Sequence, residues 1–295
     1  MSYIHPTAVI DPKAELGPGV RVGPYCHVGP GVVLGDGCDL IGHVTLLGPS
    51  DFGPDNTFYP YCVLGAAPQD LKYKGGPTRL VAGAHNVFRE HVTAHRGTEV
   101  DRYSGGVTRI GSHNLFMIGV HIAHDGLIGN HVVMANYVQI AGHVCLEDRV
   151  WVGGASAMHH FVTVGRGAYV AGMTRITHDV PPYMKVEGYN QTVRGVNVEG
   201  LRRWRIHAES IRAMKAAARL LFARKGERSA LRIVEALRQI ENDGLGADEH
   251  VRYLVAFLQR KLEIGVYGRA REHYRSDTRA DRAAFYRAPT PEPTA

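Results

Sequence analysis

Histidine and aspartate side chains cluster in one stretch of the sequence, between residues 121 and 160. A histidine beside an aspartate can act as a general base towards an alcohol, because the carboxylate holds the imidazole in one tautomer. Several histidines can instead bind zinc and activate a water molecule. The residue types leave both chemistries open. The polar residues that could take part are His121, His124, Asp125, His143, His159 and His160.

A six-residue repeat runs through the same stretch and must position these side chains. An aliphatic residue or Met occupies every sixth position from Ile122 to Met158, and a small residue usually follows it. The same period begins at Ile4 and, after two interruptions, continues to Ile176. Amphipathic helices give spacings of three and four, and simple strands alternate, so this period favours the hexapeptide class of parallel β-helix. We predict a mainly β solenoid for residues 1–196.

The solenoid places particular residues next to one another. Three hexads close one triangular coil, so residues 18 apart are expected to lie above one another at the strand spacing of about 4.8 Å. Asp125 then stacks under His143, and His124 stacks under Gly142. We therefore expect His124, Asp125 and His143 to meet on one edge, across two adjacent coils.

Two segments interrupt the repeat and are predicted to be loops that leave the coil. The first covers residues 65–81 and contains Pro, Gly and several polar residues. The second covers residues 97–109 and is rich in Gly and charged residues. Long loops on a rigid scaffold often carry function. A tolerated surface insertion is the alternative interpretation of each.

The composition changes sharply after the repeat. Apolar residues at helical spacing predict a small helical domain over residues 197–268, which would cap the end of the solenoid. Lys and Arg are concentrated between residues 202 and 228, so this domain has a basic face. Such a face suits an acidic partner, with a solvated surface or nucleic acid as alternatives. Sparse apolar residues and frequent Pro predict a disordered tail over residues 269–295.

Several protein classes are disfavoured by the composition. The sequence has no run of about 18 apolar residues, which argues against a membrane span. The four cysteines are far apart, which fits free thiols in a reducing compartment and excludes a zinc ribbon. The first residues lack a basic and then apolar signal segment, which predicts a cytoplasmic protein. No Ser-centred elbow, P-loop or dinucleotide fingerprint is present.

Short motifs follow one another in a distinctive order between residues 3 and 205. They are Gly-Pro-Tyr-Cys at 23–26, Gln-Asp-Leu-Lys-Tyr at 69–73, Gly-Gly-Pro-Thr-Arg at 75–79, His-Arg-Gly at 95–97, His-Ile-Ala-His-Asp at 121–125, Ala-Gly-His at 141–143, Asp-Val-Pro-Pro-Tyr at 179–183 and Gly-Val-Asn-Val-Glu-Gly-Leu-Arg-Arg at 195–203. In these motifs the chain resembles the acyl-ACP–UDP-N-acetylglucosamine O-acyltransferases, which begin lipid A synthesis in Gram-negative bacteria.

The resemblance implies a reaction and a set of partners. The enzyme would move a 3-hydroxyacyl chain from acyl carrier protein to the 3-hydroxyl of UDP-N-acetylglucosamine. It would be a cytoplasmic homotrimer of left-handed β-helices with active sites between subunits, without a metal or other cofactor. The phosphopantetheine arm of the carrier would enter as part of the donor. Instead of nucleic acid, the basic helices would bind the carrier protein, through Arg212, Lys215, Arg219 and Arg224.

The resemblance also implies residue roles. His124 would be the general base, Asp125 its partner and the Gly142 N–H the oxyanion donor, with His143 beside them. Gln69, Asp70 and Lys72 match residues that reach the substrate from a neighbouring subunit. The other positions assigned to substrate binding are His121, His159, His160, Gly172, Asn197, Glu199 and Arg203. His160 departs from the family pattern, which usually has Gln there.

Other activities remain as alternatives at this point. Gamma-class carbonic anhydrases use hexapeptide coils with histidine ligands, so a metal-dependent hydratase is one alternative. Another hexapeptide-repeat acyltransferase, acting on an amine or using acetyl-CoA, is the second. The related N-acyltransferase carries an extra N-terminal uridine-binding domain, for which hexads that start at Ile4 leave no room.

Overall fold

A computed structural model gives the fold. It describes residues 2–101, 103–222, 230–275, 277–278, 280–281 and 283. Most strands in these ranges are only two residues long, as expected for hexads in which a short strand alternates with a corner. They form three sheets, which are the three faces of a triangular prism.

The first sheet runs the full length of the solenoid. Its strands are β1 (Tyr3–Ile4), β4 (Arg21–Val22), β7 (Asp39–Leu40), β10 (Thr57–Phe58), β13 (Val87–Phe88), β16 (Leu115–Phe116), β19 (Val133–Met134), β22 (Trp151–Val152), β25 (Tyr169–Val170), β27 (Met184–Glu187) and β28 (Thr192–Val196). All neighbours are parallel except the last two, which form an antiparallel pair that closes the sheet.

The other two sheets are parallel throughout. The second contains β2 (Val9–Ile10), β5 (His27–Val28), β8 (Thr45–Leu46), β11 (Val63–Ala66), β14 (Thr93–His95), β17 (His121–Ile122), β20 (Gln139–Ile140), β23 (Ala157–Met158) and β26 (Arg175–Ile176). The third contains β3 (Glu15–Leu16), β6 (Val32–Leu34), β9 (Ser50–Phe52), β12 (Arg79–Ala82), β15 (Val107–Ile110), β18 (Leu127–Ile128), β21 (Cys145–Leu146) and β24 (Thr163–Val164).

The register between strands is the predicted one. His121 pairs with Gln139, and Ile122 pairs with Ile140, so uninterrupted coils are 18 residues long. The repeating aliphatic residues lie inside the prism, where Ile122 and Ile140 are buried. Across the two interruptions the coils stay in phase, because Phe58, Phe88 and Phe116 stack directly on one another. The prediction of a hexapeptide-repeat β-helix is confirmed.

Buried asparagines connect the coils at one corner of the prism. The Oδ1 of Asn56 accepts from the N–H of Asn86, and the Oδ1 of Asn86 accepts from the N–H of Asn114. Their side-chain amides donate to backbone carbonyls, as from Asn86 to Gly83 and Gly111. These bonds satisfy backbone groups that the turn would otherwise leave buried and unpaired.

Both predicted loops leave the coil, with bounds that differ from the prediction. The segments outside the strands are 67–78 and 96–106. Residues at the ends of each predicted loop are strand residues, because β12 (Arg79–Ala82) and β15 (Val107–Ile110) pair along four residues. The apolar Leu80, Val107 and Ile110 gain a partner strand only in this arrangement, so the loops are shorter than expected.

A helical region follows the solenoid. It contains α1 (Val198–Arg203), α2 (Ala208–Leu221), α3 (Ala230–Asn242) and α4 (Glu249–Ile264), together with 3₁₀ turns at Leu245–Ala247 and Ala270–Tyr274. Its core includes Met214, Leu254 and Phe257, which pack against Met184 of the last strand pair. No helix among the described residues is both long enough and apolar enough to cross a bilayer.

The beginning of the predicted disordered tail is ordered in the structure. Arg269, Ala270, Arg271 and Glu272 are buried, because they pack against the solenoid and pair with its polar groups. The composition of this segment did not reveal these contacts, since they depend on charged residues. Residues 284–295 of the predicted tail lie outside the described residues.

Candidate active site

The predicted cluster forms at the corner where the chain passes from the second sheet to the third. Asp125, His143 and Phe161 follow one another there at intervals of one coil. All three have left-handed backbone conformations, with φ of 58°, 63° and 64°. Such a φ costs a non-glycine residue about 1–2 kcal/mol, so the surrounding coils must hold it. The corner turns these three side chains towards one another.

His124 and Asp125 form a hydrogen-bonded pair. The Nδ1 of His124 lies 2.8 Å from the Oδ2 of Asp125. Asp125 is fully buried and His124 is 8% exposed. This arrangement protonates Nδ1 and leaves the lone pair of Nε2 directed away from the carboxylate. His124 can therefore accept a proton at Nε2.

The second loop holds Asp125 in its ionised form. Thr98 donates to Asp125 from its N–H and its hydroxyl, at 2.9 and 2.7 Å, and the Ser104 hydroxyl donates at 2.7 Å. Burial opposes ionisation, but the hydrogen bonds from His124, Ser104 and Thr98 and the charge of His143 lower the pKa of Asp125. The loop is thus part of the site, which its length alone did not establish.

His143 is held by a second carboxylate. Its Nδ1 lies 2.8 Å from the Oδ2 of Asp101, and its ring stacks on Phe161 at 4.3 Å. Burial raises the pKa of Asp101, yet the hydrogen bond and charge of His143 bring it down to about 2. The Nε2 of His143 is buried and has no hydrogen-bond partner among the described residues. It can make one hydrogen bond to a bound molecule.

The first loop lies over the same corner. The Oδ2 of Asp70 lies 3.4 Å from the Nε2 of His124 and 3.3 Å from the Nζ of Lys72. By the resemblance, Gln69, Asp70 and Lys72 match residues that reach the substrate from a neighbouring subunit. Within the single chain they line the same cavity as His124. The first loop is short and anchored at both ends on adjacent coils, so it folds back onto its own corner.

These groups surround a cavity of about 310 Å³. It is lined by Gln69, Asp70, Lys72, His121, Ala123, His124, Ala141, Gly142, His143, His160 and Arg275. The predicted residues Gln69, Asp70, Lys72, His121, His124, Gly142, His143 and His160 therefore meet at one site. Arg275 was not predicted.

Gly142 packs against the face of the His124 imidazole. A Cβ on this residue would lie 2.3 Å from Cε1 and 2.5 Å from Nε2 of His124, so only glycine allows the contact. Its N–H has no hydrogen-bond partner among the described residues. This N–H is therefore available to a ligand beside the Nε2 of His124.

The remaining histidines of the cluster occupy the rim. His121 Nδ1 lies 2.7 Å from the Thr93 hydroxyl, and His159 Nδ1 lies 3.1 Å from the carbonyl of His160. Burial, together with the charges of His159 and Arg275, lowers the pKa of His160 to about 3. His160 is therefore neutral near pH 7. His159 contacts His160 and does not line the cavity.

Four predicted substrate residues lie elsewhere. Asn197, Glu199 and Arg203 line a second cavity of about 730 Å³ at the first sheet, with Trp204. The side chain of Asn197 caps α1 by accepting from the N–H of Gly200 and donates to the carbonyl of Gly167. Gly172 lies at the corner between the first and second sheets. None of the four reaches His124 within one chain.

The predicted docking residues lie on one exposed face of α2 (Ala208–Leu221). Arg212, Lys215 and Arg219 are exposed and are spaced three and four residues apart. Arg212 forms a weak ion pair with Glu209 at 3.5 Å. Arg224 lies outside the described residues.

The donor atoms of the site could also hold a cation. Asp70, His124 and His143 each offer one ligand atom, and these atoms lie within 4.8 Å of one another. Asp101, Asp125 and His143 form a second such group. Carboxylates that fix histidine tautomers also surround many zinc ligands, so the geometry alone leaves the metal alternative standing.

Several functional contacts were missed from the sequence. Thr98, Asp101 and Ser104 lie in the second loop, where no repeat fixes their position. Phe161 occupies the same corner as Asp125 and His143, 36 and 18 residues away, so the coil length could have placed it. Arg275 lies in a segment whose composition resembles a tail.

Two family models match the sequence. The second domain of the UDP-N-acetylglucosamine O-acyltransferases matches residues 179–266. The bacterial transferase hexapeptide repeat matches residues 1–36 and 13–48. The first match covers the end of the solenoid and most of the helical region, and the second covers the first coils.

A relative from Anaeromyxobacter sp. (strain Fw109-5) is named acyl-[acyl-carrier-protein]–UDP-N-acetylglucosamine O-acyltransferase. It is 46% identical to the chain over 256 residues, which are 87% of the chain and 96% of the relative. The chain belongs to this family of acyltransferases. A family member of the same name from Synechocystis sp. is 41% identical over 74% of the chain and 75% of its own length.

Solved structures of this family have the same fold. LpxA from Acinetobacter baumannii superposes with a TM-score of 0.81 at 38% identity, over 87% of the chain and 96% of that structure. The UDP-N-acetylglucosamine acyltransferase from Arabidopsis superposes with a TM-score of 0.76 at 34% identity, over 88% of the chain and 97% of that structure.

Proposed function

We propose that the protein transfers a 3-hydroxyacyl chain from acyl carrier protein to the 3-hydroxyl of UDP-N-acetylglucosamine, the first step of lipid A synthesis. The observation that carries the proposal is the buried His124–Asp125 pair, whose Nε2 faces a cavity beside the free N–H of Gly142. A general base next to an oxyanion donor is what acyl transfer to an alcohol requires. The identity of the two substrates is taken from the names of the relatives described above.

His124 activates the acceptor in this mechanism. Its Nε2 takes the proton of the sugar hydroxyl while the oxygen attacks the thioester carbonyl carbon. The carboxylate of Asp125 accepts a hydrogen bond from the Nδ1–H of His124 and stabilises the imidazolium that forms. When the carbon–sulfur bond breaks, the imidazolium returns the proton to the thiolate of the carrier arm. The products are the acylated sugar nucleotide and the free thiol.

Gly142 and His143 stabilise the tetrahedral intermediate. The carbonyl oxygen becomes negatively charged beside the Gly142 N–H, which has no competing acceptor among the described residues. The Nε2 of His143 is also unpartnered there and lies at the same cavity, while Asp101 holds the Nδ1 of this ring at 2.8 Å. Donors held before the reaction lower the barrier without reorganisation.

A homotrimer would complete the site. Asn197, Glu199 and Arg203 line a cavity apart from His124 in the same chain, so they can contribute to catalysis only from another subunit. Arg203 suits phosphate oxygens because its planar fork pairs two of them. Sedimentation is expected to give a particle with the mass of three chains.

Mixing inactive His124→Ala chains with inactive Arg203→Ala chains is expected to restore activity, because some active sites in the mixed trimers then contain both an intact His124 and an intact Arg203.

The carrier protein is proposed to dock on Arg212, Lys215 and Arg219, which form an exposed basic face. Opposite charge steers association without requiring burial. The reaction is proposed to take place in the cytoplasm, and all four cysteines are unpaired, as in proteins of reducing compartments. We propose that no metal or other cofactor takes part.

A transfer assay tests the function directly. Purified protein is treated with chelator and incubated with UDP-N-acetylglucosamine and a panel of 3-hydroxyacyl carrier proteins. The acylated sugar nucleotide is expected in the mass spectrum, with the best donor reporting the chain length. Absence of product with every donor would contradict the proposal.

Metal-dependent hydration is the second candidate, because Asp70, His124 and His143 bring three ligand atoms together. It predicts zinc near one equivalent per chain and carbon dioxide hydration that chelation abolishes. Transfer activity that survives chelation, with no hydration in the presence of added zinc, would exclude it.

A further inference from the structure

The chain continues beyond residue 266, where the match to the O-acyltransferase model ends, and turns back onto the solenoid. Asp179 anchors this turn: its N–H donates to Gly268, and its carboxylate accepts from the N–H of Ala270 at 2.7 Å. Arg269 donates to the carbonyl of Thr177 at 2.9 Å. We call residues 269–275 the C-terminal strap. Its first four residues are buried, so it is docked rather than loosely associated.

The C-terminal strap reaches the catalytic corner. The Nε of Arg271 donates to the backbone carbonyl of His143 at 3.0 Å, and its guanidinium lies over Tyr103 at 4.3 Å. The guanidinium of Arg275 lies 4.7 Å from the ring of Phe161, which stacks in parallel on the ring of His143 and meets the ring of His160 edge-on. Arg271 therefore bonds the backbone of His143, and Arg275 contacts the ring that stacks on His143.

Arg275 also lines the catalytic cavity, together with His160. Glu272 accepts from its Nη1 at 3.0 Å, and Asp277 lies 3.4 Å from its Nε. A guanidinium has five N–H groups and cannot accept, so the remaining donors suit only an acceptor atom on a ligand. A ligand group that binds Arg275 would therefore present an acceptor atom, such as an oxygen.

The position of Arg275 identifies the substrate that it faces. His124 and Asp70 mark the end of the cavity where the acceptor hydroxyl gives up its proton. Arg275 contacts Phe161, which lies one coil beyond His143, whereas Asp125 lies one coil before it. In the proposed mechanism the carbonyl oxygen of the acyl donor lies at the Gly142 N–H, on the coil between them, so the donor is the substrate that we assign to Arg275.

Resting on the proposed function, we propose that Arg275 of the C-terminal strap is a substrate-binding residue that donates hydrogen bonds to an oxygen of the acyl donor. The oxygen is either the thioester carbonyl or the hydroxyl on the acyl chain. The strap thereby adds a wall to the active site from a segment that the family model does not include.

The test compares Arg275→Gln with Arg21→Gln, which removes an exposed arginine paired with Asp39 in the first coils. Steady-state kinetics use two donors of equal length, a 3-hydroxyacyl and an unsubstituted acyl carrier protein, with UDP-N-acetylglucosamine saturating. We expect Arg275→Gln to lower kcat/KM for the donor by about tenfold or more, which corresponds to about 1.4 kcal/mol. Arg21→Gln is expected to match the wild type.

The two donors distinguish the two oxygens. A loss confined to the 3-hydroxyacyl donor assigns the hydroxyl, and an equal loss with both donors assigns the carbonyl. A second series varies UDP-N-acetylglucosamine at saturating donor. Values of donor kcat/KM within about twofold of wild type for both donors, or a KM increase confined to UDP-N-acetylglucosamine in the second series, would overturn the proposal. Wild-type turnover is measured in the same experiment. If the proposed function is wrong, the wild type itself forms no product, which distinguishes that failure from a failure of the Arg275 proposal.

Arg275→Lys guards against misfolding of the glutamine variant. It keeps the charge and an aliphatic stem beside Phe161 but loses the planar fork. We expect a smaller loss of donor kcat/KM with an unchanged melting temperature. A fall in melting temperature without any change in donor kcat/KM would reduce Arg275 to a structural role.

Discussion

At the scale of single residues, the site depends on the absence of a side chain at Gly142. The His124 imidazole occupies the space that a Cβ would need, at 2.3–2.9 Å from three ring atoms. We predict that Gly142→Ala displaces the imidazole and lowers kcat by about 100-fold, because a misplacement of about 1 Å has that effect. Initial rates at saturating substrates measure it.

Gly29→Ala is the control for this substitution. Its Cβ would meet the carbonyl of Leu46 at 3.3 Å, a tight contact in another coil. Equal activity losses in both variants would show that strain in the solenoid, and not the position of His124, is responsible.

A buried neutral histidine makes stability depend on pH. His95 is 7% exposed, and burial, reinforced by the charges of His121 and His124, lowers its pKa to about 4. Between this value and the unfolded pKa near 6.5 the unfolded chain binds more protons, so stability falls as the pH falls. We predict that His95→Gln removes about 1–2 kcal/mol of the stability lost between pH 7 and pH 5, as measured by urea unfolding.

The prediction is decided by comparing how steeply the free energy of unfolding changes with pH in the wild type and in His95→Gln. The wild type contains other histidines that titrate in this range, so the difference between the two proteins is the relevant quantity. Identical pH dependences for the wild type and the variant would mean that folding does not lower the pKa of His95.

Part of the catalytic cluster could be read from residue spacing. The 18-residue coil brings Asp125 to His143 and His124 to Gly142, and the structure has these contacts. Asp101 and Thr98 could not be placed in this way, because a loop outside the repeat has no fixed register. The resemblance to a family supplied roles for these residues that spacing alone did not.

At the scale of elements, ring stacking stabilises the coils that flank both loops. Phe58, Phe88 and Phe116 are fully buried, with ring centroids 5.2 Å apart in each pair. We predict that Phe88→Ala lowers the free energy of unfolding by about 3–5 kcal/mol through lost burial and a cavity. Phe88→Leu keeps most of the volume and should cost less. Equal losses for the two variants would contradict the packing argument.

Strand order and register followed from the hexad period, whereas the ends of the loops did not. The apolar residues beside each interruption are too few to fix where pairing resumes. Contacts between β12 (Arg79–Ala82) and β15 (Val107–Ile110) bring them together only in the folded chain. The C-terminal strap escaped prediction for the same reason, because its anchors are charged groups paired with distant residues.

At the scale of the whole molecule, an exposed basic face lies on α2 (Ala208–Leu221), in the helical region that follows the solenoid. We predict that Lys215→Glu combined with Arg219→Glu weakens binding of acyl carrier protein at low salt by about tenfold or more. The difference from wild type should shrink as salt rises, since exposed charges are screened. Titration calorimetry at two ionic strengths measures both effects.

Lys13→Glu combined with Arg21→Glu is the matched control for this pair, because both residues are exposed in the first coils, at the other end of the solenoid, and the change in net charge is the same. If the control weakens binding as much as the α2 double variant, net charge alone accounts for the attraction. Unchanged affinity of the α2 double variant at low salt would remove α2 from the docking surface.

In the proposed mechanism His124 is the general base of an acyl transfer to UDP-N-acetylglucosamine. Its test is kcat for His124→Ala beside wild type and His43→Ala, which replaces an exposed histidine at another corner of the solenoid. We predict a fall in kcat of about 10²–10⁴-fold for His124→Ala, with folding intact and His43→Ala unaffected. A folded His124→Ala variant that turns over at the wild-type rate would contradict it.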